Sequence, residues 1–385
     1  MKLLHLGDLH LGKSLADFDL SDDQKYILCQ ILDIVKKEKV DTVLIAGDIY
    51  DKAIPSEAAT NLLDFFLCEL EKLKVNTFVI SGNHDSDDRL NYLSSLLESK
   101  NIYISSVFKG TLYKQTINDK HGEVDVYLLP FVKASQVHRF YPEEEINSYE
   151  DAVRIILDRT VVDKKRRNIL VAHQFVCGKS GDPVCAGSEN SSVLNVGTIE
   201  KIGYDCFDDF DYVALGHIHS PQQVGREGIR YSGSPLKYSL SEVNNDKSVP
   251  IVSLDEKGKV NIELMPLKPM RDLRHIKGTM KQLLDKKNIK SPEDFIYVTL
   301  TDEDMINDAM GIFQQVYPYT VKINYDNSHT HELEQVDISK IVENKSFDEM
   351  IEDFYHLIYG CEMSEEEKAV MKEAAKKAGV VNEAD

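Results

Sequence analysis

Residues 2–10 read KLLHLGDLH, an apolar run of strand length that ends in a Gly-Asp pair and a histidine. Four further apolar runs are each followed within three residues by Asp, Asn or His, and they lie at 42–46, 77–80, 169–172 and 212–215. Helical patterns at 21–35 and 56–74 separate the first three runs, and the earlier helix is expected to begin with a capping box, SDDQ. Strands that alternate with helices predict α/β layers around a sheet that is at least partly parallel.

The composition of the 385-residue chain excludes several classes of protein. No apolar run approaches the roughly 18 residues that a membrane span needs, and the first strand begins too early for a secretory signal. Six cysteines without a C-x-x-C spacing predict free thiols in a cytoplasmic protein. The formal net charge of −20 argues against DNA binding through a basic surface alone, although bound cations reverse the field locally.

Composition divides the chain into three parts, for which we expect domains at 1–265, 266–345 and 346–385. Residues 266–290 contain eight Lys or Arg against two Asp, a net charge of +6. Helices and strands that would form a small α/β unit are predicted at 279–284, 295–300, 302–316 and 319–324. The last part is acidic and shows helical spacing of its apolar residues.

The polar residues at the strand ends are of the types that bind metal ions. In open α/β sheets, ligands gather outside the carboxyl ends of the strands. Asp8 and His10 are an i, i+2 pair, as are His217 and His219, and in extended backbone both members of such a pair point the same way. Oxygen and imidazole ligands without thiolate favour manganese, iron or zinc over calcium. Two adjacent ions need a shared carboxylate, and Asp48 is the candidate bridge.

The residues that follow the third strand suggest separate roles for Asn83 in metal binding and His84 in catalysis. Asn83 offers a neutral amide oxygen to a metal ion, so that His84 can face the scissile phosphate as a general acid or charge stabiliser. Asp85 or Asp51, neither of them a metal ligand, would then fix the tautomer of His84 by accepting a hydrogen bond from its ring. The alternative for both carboxylates is an ordinary solvated loop position.

Residues 7–14, GDLHLGKS, also match the nucleotide-binding loop pattern G-x-x-x-x-G-K-[ST] after a strand. That loop surrounds anionic phosphates with backbone N–H groups, and here it would place the Asp8 carboxylate among them. No helical pattern begins at Ser14. We therefore favour the metal site, which leaves Lys13 as either a substrate-phosphate contact or a solvated loop residue.

Together these motifs resemble the calcineurin-like metallophosphoesterases: Gly-Asp-x-His, Gly-Asp-x-x-Asp, Gly-Asn-His-Asp, a later isolated His and Gly-His-x-His. Other stretches are similar to the bacterial SbcD-type nucleases, namely LPF at 129–131, AGSE at 186–189, ALGHIHSPQ at 214–222, YSGSPL at 231–236 and SLSE at 239–242. The similarity covers residues 1 to about 265 and is weaker beyond.

The resemblance implies a layered α/β fold, a metallophosphoesterase β-sandwich flanked by helices. A small α/β capping domain that helps to select DNA would follow, and then a C-terminal helical segment that docks on an SbcC-type ATPase. The implied activity is ATP-dependent cleavage of double-stranded DNA ends and hairpins, with single-strand endonuclease activity, in DNA repair, recombination and replication. We expect a homodimer within a heterotetramer and no membrane partner.

The resemblance also implies two divalent metal ions, manganese in the first place. One ion would be held by Asp8, His10, Asp48 and His219, and the second by Asp48, Asn83, His173 and His217. His84 would be the catalytic histidine.

Two surfaces are predicted to contact DNA and the partner. Within the basic segment, DNA would be contacted by Arg271, Arg274 and Lys277, the alternative being a solvated face. Four residues at helical spacing form an apolar stripe that would bind the ATPase or else pack back on the core: Phe347, Ile351, Phe354 and Ile358. A capping box at 364–367 predicts a second helix with Val370 and Met371 turned inward.

Two other functions are compatible with the same sequence motifs. A small-molecule phosphodiesterase or phosphatase would use the same metal centre, but the segment after Pro266 favours the nuclease. A non-catalytic interaction module on this fold would not need every ligand position to be filled, and here none is missing.

Overall fold

The structure, a computed structural model, describes residues 1–178, 181–185, 201–328, 351–352, 355 and 362–377. The chain forms two compact units, Met1–Arg274 and His275–Asp385. The division into domains at 1–265, 266–345 and 346–385 remains a prediction.

The described strands are β1 (Lys2–Leu6), β2 (Ser14–Leu15), β3 (Phe18–Asp19), β4 (Thr42–Ala46), β5 (Asn76–Ile80), β6 (Ile102–Ser105), β7 (Tyr113–Asp119), β8 (Gly122–Leu129), β9 (Arg167–His173), β10 (Val176–Cys177), β11 (Ile202–Gly203), β12 (Tyr212–Gly216), β13 (Gln222–Val224), β14 (Arg226–Tyr231), β15 (Ser248–Leu254), β16 (Val260–Pro266), β17 (Leu273–Gly278), β18 (Phe295–Leu300) and β19 (Thr320–Tyr325). The described α-helices are α1 (Ser21–Glu38), α2 (Glu57–Lys72), α3 (Asp87–Leu90), α4 (Ser94–Leu97), α5 (Ala134–His138), α6 (Tyr149–Asp158), α7 (Met280–Leu283), α8 (Ala309–Gln314) and α9 (Glu365–Lys377).

Two six-stranded sheets face each other in the first unit, with strand orders β16-β15-β1-β4-β5-β6 and β13-β14-β12-β9-β8-β7. Strands β1, β4, β5 and β6 are parallel, as are β8, β9, β12 and β14, and four strands pair antiparallel with their neighbours: β15 and β16 in the first sheet, and β7 and β13 in the second. Leu44 and Phe78 of the first sheet share one buried core with Val171 and Ala214 of the second. Parallel strands in two facing sheets therefore bring several carboxyl ends to one edge.

Helices cover the outer faces of this sandwich. Val137 of α5 and Val153 of α6 belong to a second buried core with Leu170 and Leu215 of the second sheet. On the first sheet, α2 contacts both α1 and β5, and its Phe66 is fully buried. The layered β-sandwich flanked by helices, expected from the resemblance, is confirmed.

The second unit contains a three-stranded sheet of order β17-β18-β19, in which β18 and β19 are parallel. Its core is formed by Val298, Leu300 and Phe313, among others. Strand β18 has the predicted bounds, but the predicted helix at 302–316 is too long, because Asp308 caps a helix that begins at Ala309. Among the described residues, no helix has the length and apolar composition needed to cross a membrane.

Two helix predictions were wrong in detail. No side chain caps α1: the Ser21 hydroxyl donates to Asp19 at 2.6 Å, and Gln24 bonds instead to the loop after β1. Helix α9 does begin after a capping contact between Ser364 and Glu367, but Val370 and Met371 are exposed rather than turned inward.

Candidate metal centre

Eight polar side chains from five strand ends meet at one edge of the sandwich. Three groups of acids and histidines have ligand atoms within 4.8 Å of one another: Asp8, His10 and His219; His10, Asp48 and His84; and Asp8, Asp48 and His173. Asn83 and His217 join them, because the Asn83 side-chain oxygen lies 3.0 Å from Nε2 of His173 and 3.0 Å from Nδ1 of His217. The structure thus brings together every residue that the resemblance placed at the two ions or at the catalytic position.

The backbone reaches this arrangement by left-handed turns rather than by extended strands. The φ angles are 54° at Asp8, 43° at His10, 48° at Asp48 and 98° at His217, and such values are costly for residues other than glycine. Hydrogen bonds hold the turns, with His10 N–H donating to the Asp48 carbonyl at 2.9 Å. The i, i+2 pairs therefore converge, although the extended geometry expected for Asp8 and His10 was wrong.

The loops that carry the cluster pack so closely that two positions, Gly82 and Gly216, have no room for a side chain. A Cβ atom at Gly82 would collide with the carboxylate and backbone of Asp48, and one at Gly216 would collide with the carbonyl of Ala46. These glycines let the loops after β5 and β12 approach the loop after β4.

Asp48 lies between the two halves of the cluster. Its Oδ2 atom is 3.6 Å from Nε2 of His10 and 3.4 Å from Nε2 of His173, and its Oδ1 accepts the backbone N–H of His84 at 2.9 Å. Burial opposes ionisation of Asp48, but the neighbouring imidazoles, His173 above all, hold its pKa well below the ordinary value. Burial likewise opposes the charge on His173, and Asp48 outweighs it and raises the pKa of His173 to about 9.

Two buried atoms of the cluster find no hydrogen-bond partner in the part of the chain that the structure describes. Asp8 Oδ2 and His10 Nδ1 make no hydrogen bond, and burial raises the pKa of Asp8 to about 6. Nε2 of His10 faces Nε2 of His219 at 3.1 Å, and burial lowers the pKa of His10 well below the ordinary value. Buried carboxylates and imidazoles of this kind are stabilised when they coordinate a cation. The donor set therefore fits divalent metal ions.

His84 lies at the open side of the cluster and is only half buried. Its Nδ1 atom is 3.0 Å from the backbone carbonyl of Asp51, which fixes a tautomer protonated at Nδ1 and leaves Nε2 free to act. Its ring lies 4.9 Å from the ring of His10, between centroids. The tautomer is thus set by a carbonyl oxygen, and not by the carboxylate of Asp51 or Asp85.

The carboxylate of Asp85 is used elsewhere. It accepts three backbone N–H groups, from Ile49 at 3.1 Å, Tyr50 at 2.9 Å and Gly82 at 2.9 Å. It therefore ties the loop after β4 to the loop after β5. The Asp51 carboxylate instead pairs with Lys13 Nζ at 2.7 Å, which places Lys13 beside the cluster.

The sequence did not reveal the buried ion pair that supports His219. Glu242 Oε1 accepts a hydrogen bond from Nδ1 of His219 at 3.0 Å, and Lys247 Nζ donates to Glu242 Oε2 at 2.6 Å. Because the Nδ1 proton is held by Glu242, Nε2 of His219 presents a lone pair to the cluster. The only signal was the SLSE stretch that ends at Glu242, which was noted for its resemblance alone.

Two further contacts that the sequence did not reveal hold the loop after β1. Gln24 Nε2 donates to the His10 carbonyl at 2.7 Å, and the Tyr238 hydroxyl donates to the Leu9 carbonyl at 2.5 Å. Both side chains are buried, so the strained turn at His10 is held from two sides.

The residues predicted to contact DNA or the partner are not part of the cluster, apart from the position of Lys13. Arg271 Nε donates to Asp23 Oδ1 of α1 at 3.1 Å, Lys277 pairs with Asp326, and Arg274 is half buried in β17. Ile351 is half buried, and three residues of the apolar stripe lie outside the described residues: Phe347, Phe354 and Ile358.

Comparison with known proteins shows which family the chain resembles. Residues 1–221 match the family model of the calcineurin-like phosphoesterases, and residues 269–358 match one described as the type 5 capsule protein repressor C-terminal domain. The chain is similar to the SbcD component of the nuclease SbcCD of Staphylococcus epidermidis, at 33% identity over 92% of both chains. The protein of the same name in Staphylococcus saprophyticus is 32% identical over 94% of both chains. A dimetal phosphatase from Danio rerio aligns with 70% of this chain and 98% of its own, at 12% identity and a TM-score of 0.41.

Proposed function

Because the chain belongs to the SbcD family of calcineurin-like phosphoesterases, we propose that it is the metal-dependent nuclease component of an SbcCD-type complex and hydrolyses DNA phosphodiester bonds. The observation that carries the proposal is the buried cluster in which Asp48 lies between imidazoles on two sides. A shared carboxylate is what a two-metal centre requires.

We assign the residues of the cluster to two ions, with Asp48 shared between them. Asp8, His10, Asp48 and His219 would hold one, and Asp48, Asn83, His173 and His217 the other. The absence of thiolate and the mixture of oxygen and imidazole donors suit manganese, iron or zinc, and among these we propose manganese because of the family resemblance. Bound ions of this kind activate water and neutralise phosphate oxygens.

His84 would act on the substrate rather than on an ion. Its backbone N–H is anchored on Asp48 and its Nδ1 on the carbonyl of Asp51, so the ring is held in one orientation. In the imidazolium form, which is protonated at both nitrogens, Nε2 can donate its proton to the leaving oxygen or stabilise charge on the phosphate, and the ring returns to the tautomer that the Asp51 carbonyl favours.

The relatives' shared name supports a partnership with an SbcC-type ATPase. In this proposal the complex, a heterotetramer built on a dimer of this chain, cleaves double-stranded DNA ends and hairpins in repair, recombination and replication. The residues 266–345 would select DNA, and 346–385 would dock on the ATPase. The five described cysteines form no disulfide with one another, which suits a cytoplasmic location.

A direct test is cleavage by the purified full chain with manganese. Circular single-stranded DNA, linear duplex DNA and bis-p-nitrophenyl phosphate are offered in parallel, the duplex also with the SbcC-type ATPase and ATP. We expect cleavage of single-stranded DNA by the chain alone and of duplex ends with the ATPase. Hydrolysis of the small ester without cleavage of either DNA would contradict the proposal and favour a small-molecule phosphodiesterase.

A further inference from the structure

A pocket of about 230 Å³ opens beside the metal centre, and no part of the mechanism above uses it. Two of the proposed metal ligands, Asn83 and His217, form one of its sides. Whatever occupies the pocket therefore lies next to the reacting phosphate. The volume is below the range of roughly 300–1,000 Å³ typical of sites for drug-sized ligands, and it suits a single flat ring system.

Three aromatic side chains also line the pocket. Phe131 and Tyr149 are half buried, with ring centroids 6.0 Å apart, and Phe175 is buried against His217 at 6.2 Å. The backbone N–H of Phe131 donates to the Ser81 carbonyl at 3.0 Å, which fixes Phe131 beside the loop that carries Asn83. An accessible aromatic face held at a constant distance from the ligands is a stacking surface for a base.

Polar groups complete the pocket. Gln174 lines it and is 1% exposed, yet its side-chain amide nitrogen has no hydrogen-bond partner. A buried donor without a partner is costly unless a ligand accepts its hydrogen bond. Lys133 also lines the pocket and is exposed, so it can meet a phosphate.

On the basis of the nuclease function above, we propose that this pocket binds the base of the nucleotide adjacent to the scissile phosphate. The base stacks on Phe131, a carbonyl oxygen or ring nitrogen of the base accepts the Gln174 amide, and Lys133 contacts the next phosphate. Stacking tolerates all four bases, so the pocket positions the DNA strand without reading its sequence.

The test compares two chromogenic esters with the same leaving group: thymidine 5′-p-nitrophenyl phosphate and methyl p-nitrophenyl phosphate. In the wild type with manganese we expect a higher kcat/KM for the thymidine ester. Phe131→Ala should lower kcat/KM for the thymidine ester by roughly 5- to 150-fold more than it lowers kcat/KM for the methyl ester, the range expected for a lost base stack. Phe131→Tyr should keep kcat/KM for the thymidine ester near the wild-type value, because tyrosine retains the aromatic face.

Phe140→Ala is the matched control, since Phe140 is an exposed phenylalanine outside the pocket. A second readout avoids turnover: inhibition of methyl-ester hydrolysis by thymidine monophosphate should weaken in Phe131→Ala and in Gln174→Leu. Equal kcat/KM for the two esters in the wild type, or an equal loss of both in Phe131→Ala, would overturn the pocket's role. If the wild type hydrolyses neither ester nor DNA, it is the nuclease function that fails.

Discussion

The strand-end loops of the first unit and the basic segment at 266–290 both have unusual composition, but the structure uses their charges differently. In the loops, Asp8 and His10 remain without full pairing inside the protein and converge on one point. In the basic segment, Arg271 is bonded to Asp23 and Lys277 to Asp326. Metal-binding residue types repeated at strand ends thus predict a site. The net charge of a segment does not predict a surface available for DNA, because acidic side chains elsewhere in the fold can pair with its cations.

The strongest way to break the cluster is to remove the charge at its centre. Asp48→Asn keeps the shape but removes the negative charge that lies between His10 and His173. We expect metal affinity to fall by about 10²-fold or more, and turnover with it, because both ions lose a shared ligand. Calorimetric titration with manganese and a nuclease assay measure the two losses. Near-normal cleavage with manganese supplied would refute the shared-ligand role.

His84 separates catalysis from metal binding. His84→Ala should keep both ions and DNA binding, while turnover falls by roughly 10²- to 10⁴-fold, the usual contribution of acid–base assistance. Metal analysis of the purified variant is the decisive measurement. Loss of one ion would make His84 a ligand instead.

Variants of Glu242 test whether the hydrogen bond that orients the proposed ligand His219 contributes to metal affinity. Glu242→Gln keeps a hydrogen-bond acceptor for His219 and should weaken metal binding by about 10- to 100-fold. Both Glu242→Gln and Glu242→Ala remove the negative charge that faces the buried Lys247 ammonium, at a cost of about 3–5 kcal/mol of unfolding free energy. Thermal unfolding of the metal-free variants separates the effects, and the control is the double variant Glu242→Gln with Lys247→Met. Unchanged manganese affinity in Glu242→Gln would show that His219 needs no support.

The pH dependence of metal binding follows from His173. Asp48 raises the pKa of His173 to about 9 in the metal-free protein, so the imidazole carries a proton at neutral pH. A ligand imidazole must be neutral, so binding releases that proton, and affinity should rise about tenfold per pH unit between pH ~6.5 and ~9. Below about pH 6 the slope should steepen, because burial raises the pKa of Asp8 to about 6 and adds a second proton. Manganese titrations across this pH range check the sign, and an affinity independent of pH would contradict it.

The smallest expected effect concerns the basic segment. Arg274→Gln with Lys277→Gln should weaken DNA binding by no more than several-fold and reduce the salt slope by no more than about 2 units, because Lys277 must leave Asp326 to reach a phosphate. Arg271→Gln is the contrasting variant, since it removes the contact with buried Asp23 and should lower stability without changing the salt slope. Binding isotherms at several salt concentrations are the measurement. A slope that changes only in Arg271→Gln would reverse the assignment.

Much of the fold was predictable because local patterns decide it. Strand β4 has the predicted bounds, and α2 lies within the helical pattern predicted at 56–74, with Ser56 as its N-cap. The capping box predicted at Ser21 does not form, because Gln24 makes tertiary contacts instead. Its side-chain amide bonds to the loop after β1 and not to the helix terminus. Local rules describe a side chain only when no distant backbone group competes for it.

The sequence by itself determined which residue types stand at the ends of the apolar strands, and through the parallel order of those strands it determined that they meet. Only the tertiary structure decided how they meet. Left-handed turns at Asp8 and His10 aim the ligands, the Asp51 carbonyl orients His84, and the Glu242–Lys247 pair orients His219. The physical reason is the range of the interactions: strand and helix patterns arise from neighbours in sequence, whereas a buried charge is stabilised by whichever partner the fold brings to it.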